Sequence, residues 1–151
     1  MDTTSTTYKK DRLSHAIHNE RAARHLYNNG NCEFADWTIT TSFYSALNYA
    51  KHKIFPIADI REGKMVFCYT FEQYLVENDL EHSEKHGVVK NLIKKHCPAI
   101  RENYEQLMDM CWGARYVEYK RDPNEALHAI ELLSLIRAIC HTEMTKIEAK
   151  S

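Results

Sequence analysis

Only four glycines and three prolines occur in the 151 residues of this chain. A β-sandwich or barrel reverses direction often and needs many such residues, so their scarcity directs the chain toward long helices. The apolar residues agree. Leu13, Ala16, Ile17, Ala23, Leu26 and Tyr27 recur at helical spacing and predict a helix over about 10–28, stopped by NNGN with Gly30 as a left-handed cap. A second helix, about 33–54, carries Trp37, Thr41, Tyr44, Leu47 and Lys51 near one stripe, with Phe43 and Ala46 widening it, and Pro56 ends it. Val88, Val89, Leu92 and Ile93 mark a third over about 83–96. A fourth, about 99–120, sets Ile100, Tyr104, Leu107, Met108, Cys111, Ala114 and Arg115 near one face. The fifth opens with Asp122 as N-cap, Pro123 at the first helical position and Glu125 completing a capping box, and runs to about 146.

Residues 56–80 fit this scheme least well. KMVFCYTF at 64–71 is β-favourable by content, whereas TFEQ at 70–73 is a capping box that would start a short helix through Tyr74 and Leu75. The expectation is a partly ordered excursion with one short helix. The Thr-rich residues 1–9 are expected to form a disordered tail. The resulting fold class is all-α: an up-and-down bundle of four long helices plus one short helix, in a single domain over 10–148.

Charge and cysteine usage narrow the function classes. A net charge of -1 gives no overall field to gather polyanions, so any such binding must come from a local patch. The five cysteines, at 32, 68, 97, 111 and 140, are odd in number and have no C-x-x-C spacing. That argues against a disulfide framework or a cysteine zinc site and for reduced thiols. MDTTSTTYKKDR lacks the apolar core of a signal peptide, and no segment approaches the ~20 apolar residues of a membrane span. A cytoplasmic protein with no membrane partner is expected.

Three segments carry a family resemblance. DWTITTSFYSALNYAKHKIF at 36–55 resembles the second helix of HEPN domains, with Phe43-Tyr44-Ser45-Ala46 in place of a Tyr-Tyr-Ala-Ala-like core. EHSEKHGVVKNLI at 81–93 is similar to the family's His-containing third helix. LMDMCWGARYVEYKRDPNEALHAIELLSLI at 107–136 resembles the stretch where an Arg precedes an acidic-Tyr pair and the last helix. The match covers residues 13–141. It implies a helical bundle that pairs as a homodimer and works on RNA or nucleotides, as a metal-independent ribonuclease toxin with a small nucleotidyltransferase antitoxin or as a non-catalytic binding module.

The family's ribonuclease motif places a His a few residues after an Arg. The His moves the proton of the ribose hydroxyl or leaving oxygen, and the Arg stabilises phosphate charge. Arg115 stands where the Arg belongs, but positions 120–122 are Lys, Arg and Asp, so the His is missing. Arg12 and His18 match the spacing on the wrong helix, and His128 lies too far along. The resemblance therefore implies binding of RNA, a nucleotide or a partner protein without catalysis. The candidate ligand-binding residues are Arg115, Tyr116, Tyr119, Lys120 and Arg121: a basic edge with rings on which bases can stack. The blander reading has Arg115, Glu118 and Tyr119 fastening a helix end. A rival reading has Arg115 working as a ribonuclease residue with His82 or His86, and a third is an interaction scaffold with no ligand. His82 and His86, four apart, share a helix face as two metal ligands would, but HSEKH is not H-E-x-x-H, and a third ligand would have to come from elsewhere, with His15 and His18 the obvious second pair. No metal and no cofactor is expected.

Overall fold

Small and large residues alternate along TITTSFYSALNYA in the second helical segment, so neighbouring helices can approach it from several sides. In the computed structural model, which describes residues 3–30 and 33–141, this segment is the axis of the fold. The elements are α1 (Thr3–Asn29), α2 (Ala35–Ile54), β1 (Ile57–Arg61), β2 (Lys64–Cys68), α3 (Phe71–Glu77), α4 (Lys85–His96), α5 (Arg101–Tyr116) and α6 (Pro123–Cys140). Short 3₁₀ turns, His82–Glu84 and Pro98–Ile100, lead into α4 and α5. The fold is all-α apart from one small hairpin. No described helix is long and apolar enough to cross a membrane.

Side-chain contacts fix the helix directions. Lys9 donates to Phe55 O at 2.9 Å and to His52 O, while Ser45 donates to Ala16 O, so α1 and α2 are antiparallel. Glu20 meets Arg137 and Arg24 meets Ser134, which makes α1 and α6 antiparallel as well. Gln106 reaches His128 across α5 and α6, which meet at a short connection. The long helices thus alternate up and down, and residues 55–100 form an excursion between the second and third. Helix α2 packs against α1, α4, α5 and α6. It is buried on nearly every side, with Ile39, Phe43, Ala46, Leu47, Tyr49 and Ala50 inside. Trp37, expected on its apolar stripe, is instead 53 % exposed.

Several boundaries differ from expectation for identifiable reasons. Helix α1 starts at Thr3, within the segment expected to be disordered. The Tyr8 hydroxyl accepts from Phe71 N at 3.2 Å, its ring sits edge-on to Phe55, and Lys9 is bonded as above, so tertiary contacts order a polar stretch. Gly30 is not left-handed. It is needed for close approach, because a Cβ there would lie 2.5 Å from Leu26 O. Residues 57–68 form an antiparallel hairpin within the segment expected to be a partly ordered excursion with one short helix. Its two-residue turn, Glu62-Gly63, has φ 52° and 76°, the positive pair of a tight hairpin turn. The short helix is present, with the Thr70 hydroxyl accepting from Gln73 N at 3.0 Å. The capping signal at the last helix holds in full: Asp122 accepts from Asn124 N at 2.7 Å, and Glu125 closes the box. The expected continuation to 146, the domain end at 148 and Cys32 lie outside the described residues.

One buried charge holds three helices together. Glu20, 5 % exposed, accepts from Tyr49 OH at 2.7 Å, Arg24 at 2.9 Å and Arg137 at 2.8 Å. A carboxylate is stable inside a bundle only with such pairing. Burial and this bond together push the Tyr49 phenol pKa well above its usual value.

Candidate functional site

Residues spaced three and four apart on a helix share a face, and α5 uses this to present Met108, Cys111, Trp112, Arg115 and Tyr116 together. Opposite them α2 contributes Phe43 and Tyr44, and α4 contributes His86. The chain enters α4 through a 3₁₀ turn closed by a capping box, in which Glu81 and Glu84 satisfy each other's backbone N–H groups, and His86 is the second residue of α4. Its ring lies 5.8 Å from that of Phe43. These residues, with Asp109, enclose a cavity of about 310 Å³. Its base is apolar, with Phe43 and Cys111 buried, and its rim is aromatic and charged.

Arg115 is central to the rim. Its Nη1 donates to Tyr44 OH at 3.0 Å, and its guanidinium lies 5.3 Å from the Tyr116 ring centre. The Tyr116 ring in turn sits 4.6 Å from the indole of Trp112. Among the described residues no carboxylate pairs with Arg115. Its charge is therefore available to an incoming anion. His86 has a buried Nδ1 with no hydrogen-bond partner. Burial holds its pKa below the usual imidazole value, and Lys85, Lys51 and Arg115 lower it further. A neutral imidazole at pH 7 presents one donor and one acceptor. The site can thus hold a flat apolar ring, bind a negative group at its mouth and exchange a proton at His86.

The structure divides the residues singled out from sequence. Arg115, Tyr116 and His86 line the same cavity. His82 is exposed on the 3₁₀ turn and does not line it. Helix α5 ends at Tyr116, not near 120, so Tyr119, Lys120 and Arg121 lie in the connection to α6. The Gly113 carbonyl accepts from both Val117 N and Glu118 N and closes the last turn there. Arg121 then folds back over Gly113, donating to Glu118 O at 2.7 Å and pairing with Glu125 at 3.5 Å. It braces the turn. Glu118 accepts from Lys120 N and does not pair with Arg115. Tyr119 is exposed.

Sequence reasoning missed Tyr44, Trp112 and Asp109 as site residues. Trp112 had a usable signal, since an aromatic pair at i and i+4 with Tyr116 places two large rings on one surface. Tyr44 had none, because helical spacing alone could not separate it from the core residues beside it. Among the described residues no three His, Cys, Asp or Glu side chains gather as metal ligands. Comparison with protein-family models, curated proteins and solved structures finds no match to this chain.

Proposed function

We propose that this chain binds single-stranded RNA or a nucleotide in the cavity between α2, α4 and α5, without cleaving it. The observation that carries the reading is the grouping of an unpaired Arg115 with the rings of Tyr44, Trp112 and Tyr116 beside an apolar hollow of about 310 Å³. A nucleobase is flat and stacks on aromatic faces, and the phosphate next to it needs a fixed cation. The volume suits one base, since small-ligand pockets begin at roughly 300 Å³. Asp109 on the rim would accept from an exocyclic amine. The resemblance to HEPN domains supports the same ligand class and adds two proposals, a homodimer and a small nucleotidyltransferase partner.

Fluorescence anisotropy with a labelled single-stranded RNA tests the reading. Binding should weaken steeply with salt, and Arg115→Ala should weaken it about tenfold, the loss of one charge-assisted phosphate contact. Absence of binding at low salt, or an Arg115→Ala variant that binds like the parent, overturns it. A second reading, metal-independent ribonuclease, is favoured by one observation: His86 shares the cavity with Arg115. Cleavage of RNA that survives EDTA and disappears in both Arg115→Ala and His86→Ala would establish that activity in place of simple binding.

A further inference from the structure

The Tyr44–Arg115 pair lines more than one hollow. A second concavity, about 320 Å³, shares these two residues and is completed by His15 and Asn19 from α1 and by Trp37 and Thr41 from α2. The chain has two tryptophans, and each hollow contains one: Trp112 in the first, 64 % exposed, and Trp37 in the second. Each also has a histidine, His86 in the first and His15 in the second. The second hollow offers polar groups suited to a base edge. The Asn19 carboxamide is unused among the described residues. His15 is exposed at its edge, and partial burial lowers its pKa from the usual imidazole value, with Arg12, His18 and Lys51 adding to the effect. Thr41 donates back to Trp37 O at 2.7 Å, which leaves its oxygen free to accept.

We infer that the two hollows are adjoining base subsites, so that single-stranded RNA is held two nucleotides at a time with the connecting phosphodiester on Arg115. The inference rests on the base-binding reading above and extends it from one base to a dinucleotide step. One cation between two ring-bearing hollows matches the charge order of such a step, which is base, single negative charge, base. A binder of free mononucleotides would have no use for the second indole or for the unpaired amide beside it.

The two tryptophans provide the readout. Trp37→Phe leaves Trp112 as the sole indole, and Trp112→Phe leaves Trp37, each an aromatic replacement at an exposed position whose folding circular dichroism checks. Each variant is titrated with ApA and with the methyl ester of AMP, which carries one base on a singly charged phosphate. The expected result is that ApA quenches both indoles and binds roughly ten- to a hundredfold tighter than the ester, the contribution of one more stacked base. The ester should quench Trp112, and Asn19→Ala should reduce the advantage of ApA. If both ligands bind equally and Trp37 stays silent, the second subsite is overturned while base binding stands. A tighter ApA that leaves Trp37 silent also overturns it. If neither ligand quenches either indole, both readings fall.

Discussion

Replacing Glu20 by Ala removes the acceptor shared by Tyr49, Arg24 and Arg137, and the cost can be worked out partner by partner. The Tyr49 hydroxyl loses its bond while the residue is 1 % exposed, and an orphaned buried donor costs about 1–3 kcal/mol. The two arginine side chains are 39 % and 46 % exposed, so they turn to water, and each forfeits only about 0.5–1 kcal/mol. The sum is about 3 kcal/mol, which for a domain of this size lowers Tm by roughly 6–12 °C. Glu20→Gln keeps an acceptor for Tyr49 and should cost about half as much. The test is urea unfolding of Glu20→Ala, Tyr49→Phe and the double variant. Because Tyr49→Phe deletes the orphaned hydroxyl, the double variant should be about 1–2 kcal/mol less destabilised than the sum of the singles. A Glu20→Ala loss below about 1 kcal/mol, or strict additivity, would refute the view that the carboxylate couples α1, α2 and α6.

The caps and the histidines yield further expectations. Asp122→Ala should lower stability by about 1 kcal/mol in the same unfolding assay, since it removes the side-chain acceptor at the start of α6. Gly63→Ala should cost about 1–2 kcal/mol by strain alone, because φ is +76° and no atom lies close enough to clash. His15, His52, His86 and His96 all have folded pKa values held below the ordinary one, with burial as the largest cause. The unfolded chain therefore takes up protons first, and the stability present above about pH 6.5 is lost as pH falls. The urea midpoint should drop between about pH 7.5 and 5.5, and less so in His52→Gln; a flat or rising midpoint contradicts the assignment.

Features written in local chemistry were legible. Asp122-Pro123 with Glu125 specifies a helix start within four residues, and no distant contact is needed to decide it. The end of α5 was not legible, because its stop depends on Arg121 folding back over Gly113. Periodicity continues past Tyr116; the tertiary brace does not show in it. The hairpin gave only half a signal. KMVFC is strand-like by content, but its partner IADIR alternates weakly and the turn is Glu-Gly, not Asn-Gly. At the candidate site Arg115 stood out as a charge in a resembling segment, whereas its neighbours depended on packing. His86 reaches the same cavity because α4 folds onto α2, a contact between segments far apart in the chain. Trp37 was assigned inward because a 3.6-residue period marks a stripe without saying which side is covered.

The first two turns of α1 matter beyond their own order. Helices end with carbonyls that no later N–H can reach, and α2 ends where Pro56 forbids continuation. The Lys9 ammonium, donating to His52 O and Phe55 O, fills that deficit from more than forty positions upstream. It is a long-range C-cap, and it also brings positive charge to the negative end of the helix dipole. A domain trimmed to begin at residue 10, where composition places the boundary, would lose this cap together with the Tyr8 contacts to Phe55 and Phe71. The polar N-terminal stretch thus belongs to the folding unit, and the excursion that holds His86 is anchored partly through it.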